Sequence, residues 1–327
     1  MDNAFTQYTA EMGGISRFAG GAAALVRRGP AGTLCPMFSY RHGFHAGNHA
    51  DVLKHIVLVQ LLAHLAAKDK PFMMADTHAG AGGYSLDAGT FAAKNAEFES
   101  GIGRLWARND LTGVLADYTA QIRAFNAFNP GGALTAYPGS PQLALQMTRA
   151  HDPLRLFELH PTESGVLREY FHAAGRRVQV RAEDGFEGLK ALLPPPSRRA
   201  LVLIDPSYED KDDYTRVLDA MRDALQRFAT GVYAVWYPQV ARRESREMPV
   251  RLRRLAEAPG SAACNWLHVS LTVKASPADG LGLYGSGMFV FNPPWSLRDG
   301  LRAALPDLKK WLAQDGNAAF ELQGESR

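Results

Sequence analysis

Residues 72–83 read FMMADTHAGAGG and join a short apolar run ending in an acid to a loop of small residues. The run at 72–76 has the length and composition of a buried strand. Glycine lets the backbone of the loop pass close to a nucleotide-like ligand, although a plain turn would use the same residues. The dinucleotide fingerprint G-x-G-x-x-G begins at Gly80 and Gly82 but has Ser85 in its last position, which disfavours NAD.

Downstream of this loop, apolar runs alternate with helical patterns. The expected strands are 154–159, 177–181, 200–204 and 231–237, and the expected helices are 141–150, 162–174, 184–193 and 212–228. Alternation of this kind predicts a parallel α/β sheet. The last two strand candidates, 265–273 and 286–292, have no helix between them and predict an antiparallel hairpin at the sheet edge. The layout resembles the Rossmann-like sheet of class I S-adenosylmethionine-dependent methyltransferases, which is parallel with an antiparallel last strand.

Upstream, Asn48 is a good helix cap, and apolar residues recur at helical spacing to about Ala67. One interval breaks the alternation, because the helix that leads into 154–159 begins only near Pro141. The chain is therefore expected to divide into a poorly structured extension (1–36), a main domain (37–84 and 137–313), a helical inserted subdomain with helices at 91–107 and 111–127 (85–136), and a carboxyl-terminal tail (314–327).

The composition is that of a soluble globular protein, with 327 residues, 46% hydrophobic and 21% charged. It excludes a disordered chain, a collagen, a coiled-coil rod and a disulfide scaffold. A formal net charge of +3 permits a nucleic-acid partner without establishing one. Cys35 and Cys264 stand far apart, which fits a reducing compartment and gives no zinc cluster. No apolar run approaches the roughly 18 residues that span a membrane, so we expect a cytoplasmic protein.

Two acidic positions follow predicted strands where a nucleoside could bind. Glu158 stands at the end of the second strand, where a carboxylate can accept both ribose hydroxyls of an adenosine. Asp184 and Gly185 follow the third strand, where the acid can accept from an adenine amino group and the glycine permits close approach. The simpler interpretation of this pair is a helix cap followed by a turn glycine.

The sharpest chemical signal is Asp205-Pro206-Ser207-Tyr208, directly after the apolar run at 200–204. Amino-methyltransferases carry an acidic or amide residue, two prolines and an aromatic residue at this place. An adenine amine is a poor nucleophile because its lone pair is delocalised into the ring. Asp205 and the Pro206 carbonyl can accept its two N–H groups, and Tyr208 can stack on the extruded base. Ser207 replaces the second proline and removes rigidity from the loop.

A second match to that motif is Asn292-Pro293-Pro294-Trp295. Ligands of α/β sheets bind at the carboxyl ends of the parallel strands. Because strand 286–292 is expected to run antiparallel, its end should point to the opposite pole. We therefore expect Asn292 to be structural and Trp295 to be a core or lid residue.

Two clusters of cationic side chains remain. The histidines at 42, 45, 49 and 55 are expected to form a segment that closes over cofactor and substrate, with metal binding as a minor alternative. Six arginines at 242–254 are interrupted by two glutamates, which alone indicates a solvated helix face with ion pairs. Beside a base-modifying site, the same arginines become candidates for phosphate contacts.

Several stretches together resemble one family, the bacterial 23S ribosomal RNA adenine-N6 methyltransferases of the RlmJ type. The stretches are Ser39–His55, Asp76–Gly82, Tyr137–Pro141, Glu158–Pro161 and Asn292–Trp295. The resemblance implies S-adenosylmethionine as cofactor and 23S rRNA as partner, without a membrane, and we expect a monomer. It assigns cofactor contacts to His55, His78, Ser140, Glu158, Asp184 and Gly185. Asp205 matches the catalytic acid, and Tyr40, His42 and Lys54 are expected to meet the RNA.

Three alternatives stay open at this stage. A DNA adenine methyltransferase would use the same loop chemistry, since only the amino-terminal segment favours RNA. A non-catalytic RNA-binding relative is the second, because Ser207 departs from the motif. A metal-dependent hydrolase built on the histidines is a distant third. Residues 1–36 precede the usual start of the family, and Met37 is a candidate initiator.

Overall fold

The strands predicted from the sequence are present in the predicted order, and a helix at Trp295–Leu312 and three further strands join them. The computed structural model describes residues 42–87, 89–127, 129–258 and 264–324. The α-helices in these ranges are α1 (His49–Ala66), α2 (Phe91–Asn95), α3 (Ile102–Trp106), α4 (Gly113–Phe125), α5 (Ser140–Met147), α6 (Pro161–Tyr170), α7 (Gly185–Leu192), α8 (Asp213–Arg227), α9 (Arg243–Ala256) and α10 (Trp295–Leu312). The strands are β1 (Met73–Asp76), β2 (Gly83–Ser85), β3 (Ala136–Pro138), β4 (Leu154–Phe157), β5 (Val178–Arg181), β6 (Ala200–Ile204), β7 (Val232–Gln239), β8 (Trp266–Thr272), β9 (Gly285–Phe291) and β10 (Ala319–Gly324).

One sheet organises the protein, with strand order β10-β8-β9-β7-β6-β1-β4-β5. The strands from β7 to β5 in that order are mutually parallel, and β9 runs antiparallel to both β7 and β8. The chain reverses its direction of travel across the sheet between β5 and β6, so β1 and β6 flank the switch point where such sheets bind ligands. The predicted class I methyltransferase architecture is confirmed.

Helix α1 is buried almost all round, as an 18-residue helix with apolar residues on every face must be. Asn48 caps it as predicted, because its side-chain oxygen accepts hydrogen bonds from the backbone N–H groups of Ala50 and Asp51. The helix lies against β9 and also packs on α4 and α5. This position brings Lys54, which is on α1, to the ends of the central strands.

Two hydrophobic clusters cover the two faces of the sheet. One contains α1, α4, α5 and α10, and the other contains α7, α8 and α9. Strand β6 lies between them with all five residues buried, which explains its unbroken apolar sequence. The residue that follows β6 therefore leaves the core at a fixed point of the sheet edge.

The carboxyl-terminal part of the sheet differs from the expectation. Residues 314–327 are expected to form a tail, whereas 319–324 form β10 and pair antiparallel with β8. The β8–β9 hairpin was expected at the sheet edge and instead lies inside it, because β10 covers β8. β10 is short and mostly exposed, so it lacks the apolar run by which buried strands are found.

The interval 85–136 is helical, as expected, but two short helices, α2 and α3, replace the single helix predicted at 91–107. The small antiparallel pair β2 and β3 bounds the interval. Its longest helix, α4, packs on α1 and α10 and contributes to the same hydrophobic cluster. The division of the chain into a main domain and an inserted subdomain stays a prediction.

The second motif match lies at the opposite pole, as the strand directions predict. Asn292 follows the antiparallel β9, and its side-chain amide donates to the carbonyl oxygens of Ala229 and Gly231, each at 2.7 Å, just before β7. Its φ of +53° is a turn conformation that asparagine tolerates. Trp295 is 66% exposed, so it does not belong to the core.

Tyr40 and the extension at 1–36 lie outside the described residues, and so does the side chain of His42. Among the helices of the described ranges, none combines the length and apolar character that a bilayer crossing requires.

Candidate active site

Asp205 leaves the carboxyl end of β6 and meets Lys54 of α1. The ammonium nitrogen of Lys54 lies 2.5 Å from Oδ2 of Asp205 and 2.8 Å from Oδ1 of Asp51. The side chains of Lys54 and Asp51 are only 4% and 3% exposed, and that of Asp205 is 11% exposed. A cation and two acids thus share one enclosed space beside the predicted catalytic loop.

The electrostatics of this cluster keep the lysine charged. Burial on its own would lower the pKa of Lys54, but the negative charges of Asp205 and Asp51 outweigh it and raise that pKa. The Lys54 ammonium also lies 5.9 Å from the ring centre of Trp236 on β7. Lys54 is expected from the sequence to contact RNA, yet it is buried, so it is not a surface contact for phosphate.

The backbone of the catalytic loop is held from two sides. Tyr208 has a φ of +54°, is 3% exposed and donates its hydroxyl to the carbonyl oxygen of Trp236 at 2.7 Å. One guanidinium nitrogen of Arg242 donates to the carbonyl oxygens of Tyr208 and Glu209, at 2.9 and 3.1 Å. These contacts anchor the loop that Ser207 leaves without its second proline.

The buried position of Tyr208 bears on its predicted stacking role. Its ring packs against Tyr214 and Trp236, with ring centres 4.6 and 6.0 Å apart. A base can stack on Tyr208 only where one of these ring contacts opens. Stacking by Tyr208 and the amine contact of the buried Pro206 both stay predictions.

The glycine loop after β1 is tied to Glu158 at the end of β4. The Glu158 carboxylate accepts from the backbone N–H of Gly80 at 2.9 Å and of His160 at 2.7 Å. Gly80 and Gly82 have φ values of +61° and +88°, which favour glycine. Burial raises the pKa of Glu158 above its ordinary value. The loop and the acid therefore form one rigid cradle with a carboxylate on its wall.

A fully buried acid, Asp76, ends β1 beneath this cradle. Its Oδ2 accepts the hydroxyl of Ser140 at 2.6 Å, and its Oδ1 accepts the backbone N–H of His78 at 3.2 Å. Burial is the main cause that raises the pKa of Asp76 to about 6, and the charge of Asp205 adds to it. The predicted cofactor residues Ser140 and His78 are thus joined through Asp76.

His78 itself is held beside the loop. Its Nδ1 lies 2.8 Å from the Thr77 hydroxyl, and its ring meets the ring of Phe186 edge-on, 4.8 Å between centres. Burial lowers the pKa of His78 to about 3, so the imidazole is neutral at physiological pH.

Asp184 and Gly185 begin helix α7, which is the simpler of the two interpretations made from the sequence. Asp184 caps α7 by accepting from the backbone N–H of Phe186 at 2.9 Å, and its other oxygen pairs with Arg216. A Cβ on Gly185 would lie 2.0 Å from the carbonyl oxygen of Thr77, so only glycine fits this contact. Asp184 and Gly185 therefore hold the β5–α7 turn in contact with the loop that follows β1.

Two of the predicted histidines, His49 and His55, are buried, and His45 is partly buried. His55 is fully buried, with Nδ1 2.8 Å from the Tyr137 hydroxyl oxygen, so its cofactor contact is not exposed in this structure. His45 hydrogen-bonds to Glu97, which reaches in from the interval 85–136. Within the ranges that the structure describes, no group of three or more potential ligands among His, Cys, Asp and Glu is placed to hold a metal.

The arginines at 242–254 do not share one role. Two pair with acids on the surface of α9 and beyond it, Arg243 with Glu247 and Arg253 with Glu257. Arg242 instead holds the catalytic loop, which sequence reasoning missed. Phosphate contacts by the others stay a prediction.

The cradle fits the cofactor that the sequence resemblance implies. The positive-φ glycines and the close contact at Gly185 fix the backbone of the loop, and Glu158 would supply acceptors for ribose hydroxyls. A contact of Asp184 with an adenine amino group stays a prediction, because its two carboxylate oxygens already accept from Phe186 and pair with Arg216. S-Adenosylmethionine would supply the methyl group, and Glu158 and the glycine loop are the residues that would hold it.

Sequence reasoning also missed Asp51 and Asp76 as parts of the site. Asp76 closes an apolar strand, which is itself a signal of a functional position in such sheets. Asp51 lies in the first turn of α1, where its carboxylate accepts from the Gly47 backbone N–H at 2.9 Å and also pairs with Lys54.

The comparisons with known proteins agree with this geometry. Residues 69–323 match the family model RsmJ, described as ribosomal RNA large subunit methyltransferase D, RlmJ. Two proteins named ribosomal RNA large subunit methyltransferase J are similar to this chain. The one from Haemophilus influenzae is 43% identical over 88% of this chain and 98% of its own length. The one from Escherichia coli K12 is 45% identical over 86% of this chain and 96% of its own length. A crystal structure of a Legionella pneumophila protein, 36% identical, covers 86% of this chain and 99% of its own with a TM-score of 0.75. The chain belongs to the RlmJ family of ribosomal RNA large subunit methyltransferases.

Proposed function

We propose that the protein transfers the methyl group of S-adenosylmethionine to N6 of one adenine in 23S ribosomal RNA, with Asp205 as the residue that orients the amine. Family membership supports the class of enzyme and of substrate, since the matched model and both relatives carry the name of a large-subunit rRNA methyltransferase. The specific base and the roles of single residues are the part that we infer from the site.

One observation carries this proposal, namely the connection between the cofactor loop and the strand that delivers Asp205. The backbone N–H and the hydroxyl of Thr77 both donate to the carbonyl oxygen of Leu203, each at 3.1 Å. Leu203 lies two residues before Asp205, and β1 pairs in register with β6. The loop that would hold the cofactor and the acid that would hold the amine therefore move as one unit.

The residues divide the chemical work as follows. S-Adenosylmethionine supplies an electrophilic methyl group on a sulfonium sulfur. Asp205 and the Pro206 carbonyl accept the two N–H groups of the adenine amine and hold its nitrogen toward the methyl carbon, and the Asp205 carboxylate takes the proton that the methylated nitrogen loses. Lys54 holds the Asp205 carboxylate in place, and the base must leave its stack to reach it. Most of the rate gain comes from alignment, which a rigid loop supplies.

The test is Asp205→Ala, assayed with radiolabelled S-adenosylmethionine on 23S rRNA that lacks the modification. Asp219→Ala is a matched control, because Asp219 is an exposed acid on α8 that pairs with Arg222. We expect Asp205→Ala to lower kcat on the order of 100-fold or more, by analogy with other preorganised polar groups, and the control to keep wild-type activity. Undiminished transfer by Asp205→Ala would refute its role.

A DNA adenine methyltransferase is the second candidate, because Asp205 and its loop would act on either nucleic acid. Equal amounts of 23S rRNA and of adenine-containing DNA in one assay distinguish the two, and we expect N6-methyladenine in the RNA alone. A cytoplasmic location and action as a monomer accompany the proposal. Light scattering of the purified protein checks the second.

A further inference from the structure

A polar cavity of about 220 Å³ lies between α9 and the part of the sheet formed by β7, β9, β8 and β10. Its lining includes the last residues of β7 and β8, the first of β10 and the first turns of α9. Because β9 and β10 run antiparallel to β7, all these ends meet at the pole where β6 delivers Asp205. The cavity therefore opens on the side of the sheet to which the substrate must come.

Glycines on the middle strand create the floor of this cavity. Gly287 is paired with Tyr237 on one side and with Ser270 on the other, and Gly285 is paired in the same way with Gln239 and Thr272. A Cβ on Gly287 would lie 2.4 Å from the Tyr237 ring, and one on Gly285 would lie 2.0 Å from the Gln239 side-chain oxygen. The side chains of β7 thus lie across β9 and reach β8.

The floor that results is polar and fixed. The Tyr237 hydroxyl oxygen lies 2.8 Å from Nε2 of His268, and the Thr272 hydroxyl donates to the Gln239 side-chain oxygen at 2.8 Å. Ser270 stands between these pairs and is 3% exposed. Burial lowers the pKa of His268 to about 4, so the ring is neutral at physiological pH.

The charges around the cavity restrict what can enter it. The floor offers neutral hydroxyl, imidazole and amide groups, which suit the edge of a heterocycle. Glu321 on β10 disfavours an anion inside, whereas the exposed guanidinium of Arg246 can stack on a base or meet a backbone phosphate at the rim. The volume is below the roughly 300–1,000 Å³ of sites for drug-sized ligands, which limits the occupant to one base-sized group.

We propose that this cavity binds one unpaired base of the RNA substrate, splayed out near the target adenine, so that the enzyme holds its RNA at two bases. The inference rests on the proposed function. Two strand spacings of about 4.8 Å separate β6 from β9, so the cavity lies roughly 10 Å from the catalytic strand. A stacked strand advances about 3.4 Å per nucleotide, which places the second base within about three positions of the target.

The test uses a fragment of 23S rRNA that the wild-type protein methylates, with single abasic substitutions on each side of the target. We expect one position within three nucleotides to raise KM on the order of ten-fold, in line with the loss of one stacked base. Ser270→Leu fills the cavity, so it should raise KM for the intact fragment by a similar factor. The abasic substitution should then add nothing in this variant.

Arg246→Ala gives a second measurement that does not depend on how well Ser270→Leu folds, because Arg246 is on the surface. Arg302→Ala, which removes an exposed arginine of α10 that lies outside the cavity lining, is its matched control. We expect only Arg246→Ala to raise KM while S-adenosylmethionine affinity stays unchanged. Equal effects of both arginine variants, or an abasic scan without a sensitive position, would overturn the inference. Absence of RNA methylation by the wild-type protein would instead refute the proposed function.

Discussion

The Lys54 ammonium lies between the carboxylates of Asp205 and Asp51, 2.5 Å from the first and 2.8 Å from the second. With both acids ionised, this buried group carries one net negative charge. A sulfonium and its methyl group are positively charged, so the cluster attracts the reacting end of the cofactor as well as orienting the amine. Such an effect is strong only because the cluster is shielded from water.

Replacing Lys54 with Met should therefore damage both stability and activity. The change leaves two carboxylates buried together without their cation, and breaking a buried pair in this way costs about 3–5 kcal/mol. Urea unfolding measures the stability and transfer of a radiolabelled methyl group measures the activity. Lys68→Met, which removes an exposed lysine just beyond α1, should change neither.

A double variant separates the two effects. Adding Asp51→Asn to Lys54→Met removes one of the unpaired charges, so part of the unfolding free energy should return. Activity should stay low, because Asp205 still lacks the ammonium that positions it. Recovery of wild-type kcat in the double variant would mean that Lys54 matters for stability alone.

The next prediction concerns Arg242, which reaches the catalytic loop from the start of α9. Loss of its two hydrogen bonds to the carbonyl oxygens of Tyr208 and Glu209 should let the loop move. A charged hydrogen bond contributes about 1.5–3 kcal/mol to stability, so Arg242→Ala should lower Tm measurably, and the looser loop should lower kcat by about ten-fold or more. Arg243→Ala removes an exposed neighbour paired with Glu247 and should keep full activity. Equal kcat values for the two variants would contradict the supporting role.

Much of the fold could be predicted from local sequence patterns. The apolar run at 200–204 coincides with β6, and the cap at Asn48 and the apolar spacing after it gave the bounds of α1 to within one residue. Each of these depends on a few neighbouring residues. β10 was missed because Phe320 and Leu322 alternate over too few residues to stand out from a terminal segment.

The site was predicted less completely for a related reason. Asp205 and Glu158 follow strands, and that position together with the neighbouring loop motifs indicates a functional role in a parallel sheet. The partner of Asp205 is 151 residues away in the sequence, and nothing in the spacing of Lys54 on its own helix points to that contact. Arg242 similarly stands in a run of arginines whose members look alike until the fold separates them.

His45 and Glu97 give a prediction about pH. Nδ1 of His45 lies 3.0 Å from Oε2 of Glu97, and this hydrogen bond, with further help from the charges of Glu97, Asp51 and Glu209, raises the pKa of His45 above 6.5 despite its burial. A raised histidine pKa stabilises the fold fully below pH 6.5 and loses that contribution as the pH rises through the folded value. Burial opposes ionisation of Glu97, but His45 outweighs it and lowers the pKa below 4.5.

The raised pKa of His45 and the lowered pKa of Glu97 together define the pH range in which the pair is charged. The contribution of Glu97 is present above pH 4.5 and is lost as the pH falls through its lowered pKa, so the pair stabilises the protein most between about pH 5 and 6.5. His45→Gln should therefore reduce the unfolding free energy more at pH 5.5 than at pH 8.5, measured in urea. Glu97→Gln should behave alike, and the double variant should lose less than the two single losses combined. A loss that is the same at both pH values would disprove the coupling.

A pair of glycine substitutions tests whether the β5–α7 turn supports the cofactor loop. Gly185→Ala places a Cβ 2.0 Å from the carbonyl oxygen of Thr77, so the turn and the loop must move apart. Gly165→Ala, inside α6, places its Cβ in open space and should stabilise the helix by about 0.5–1 kcal/mol. We expect Gly185→Ala to lower S-adenosylmethionine affinity in calorimetry and to lower Tm, while Gly165→Ala raises Tm and binds the cofactor normally.

Because both changes add one methyl group to a helical glycine, a difference between them reports the contact with Thr77 rather than helix propensity. Unchanged cofactor affinity in a folded Gly185→Ala protein would show that the turn does not position the loop.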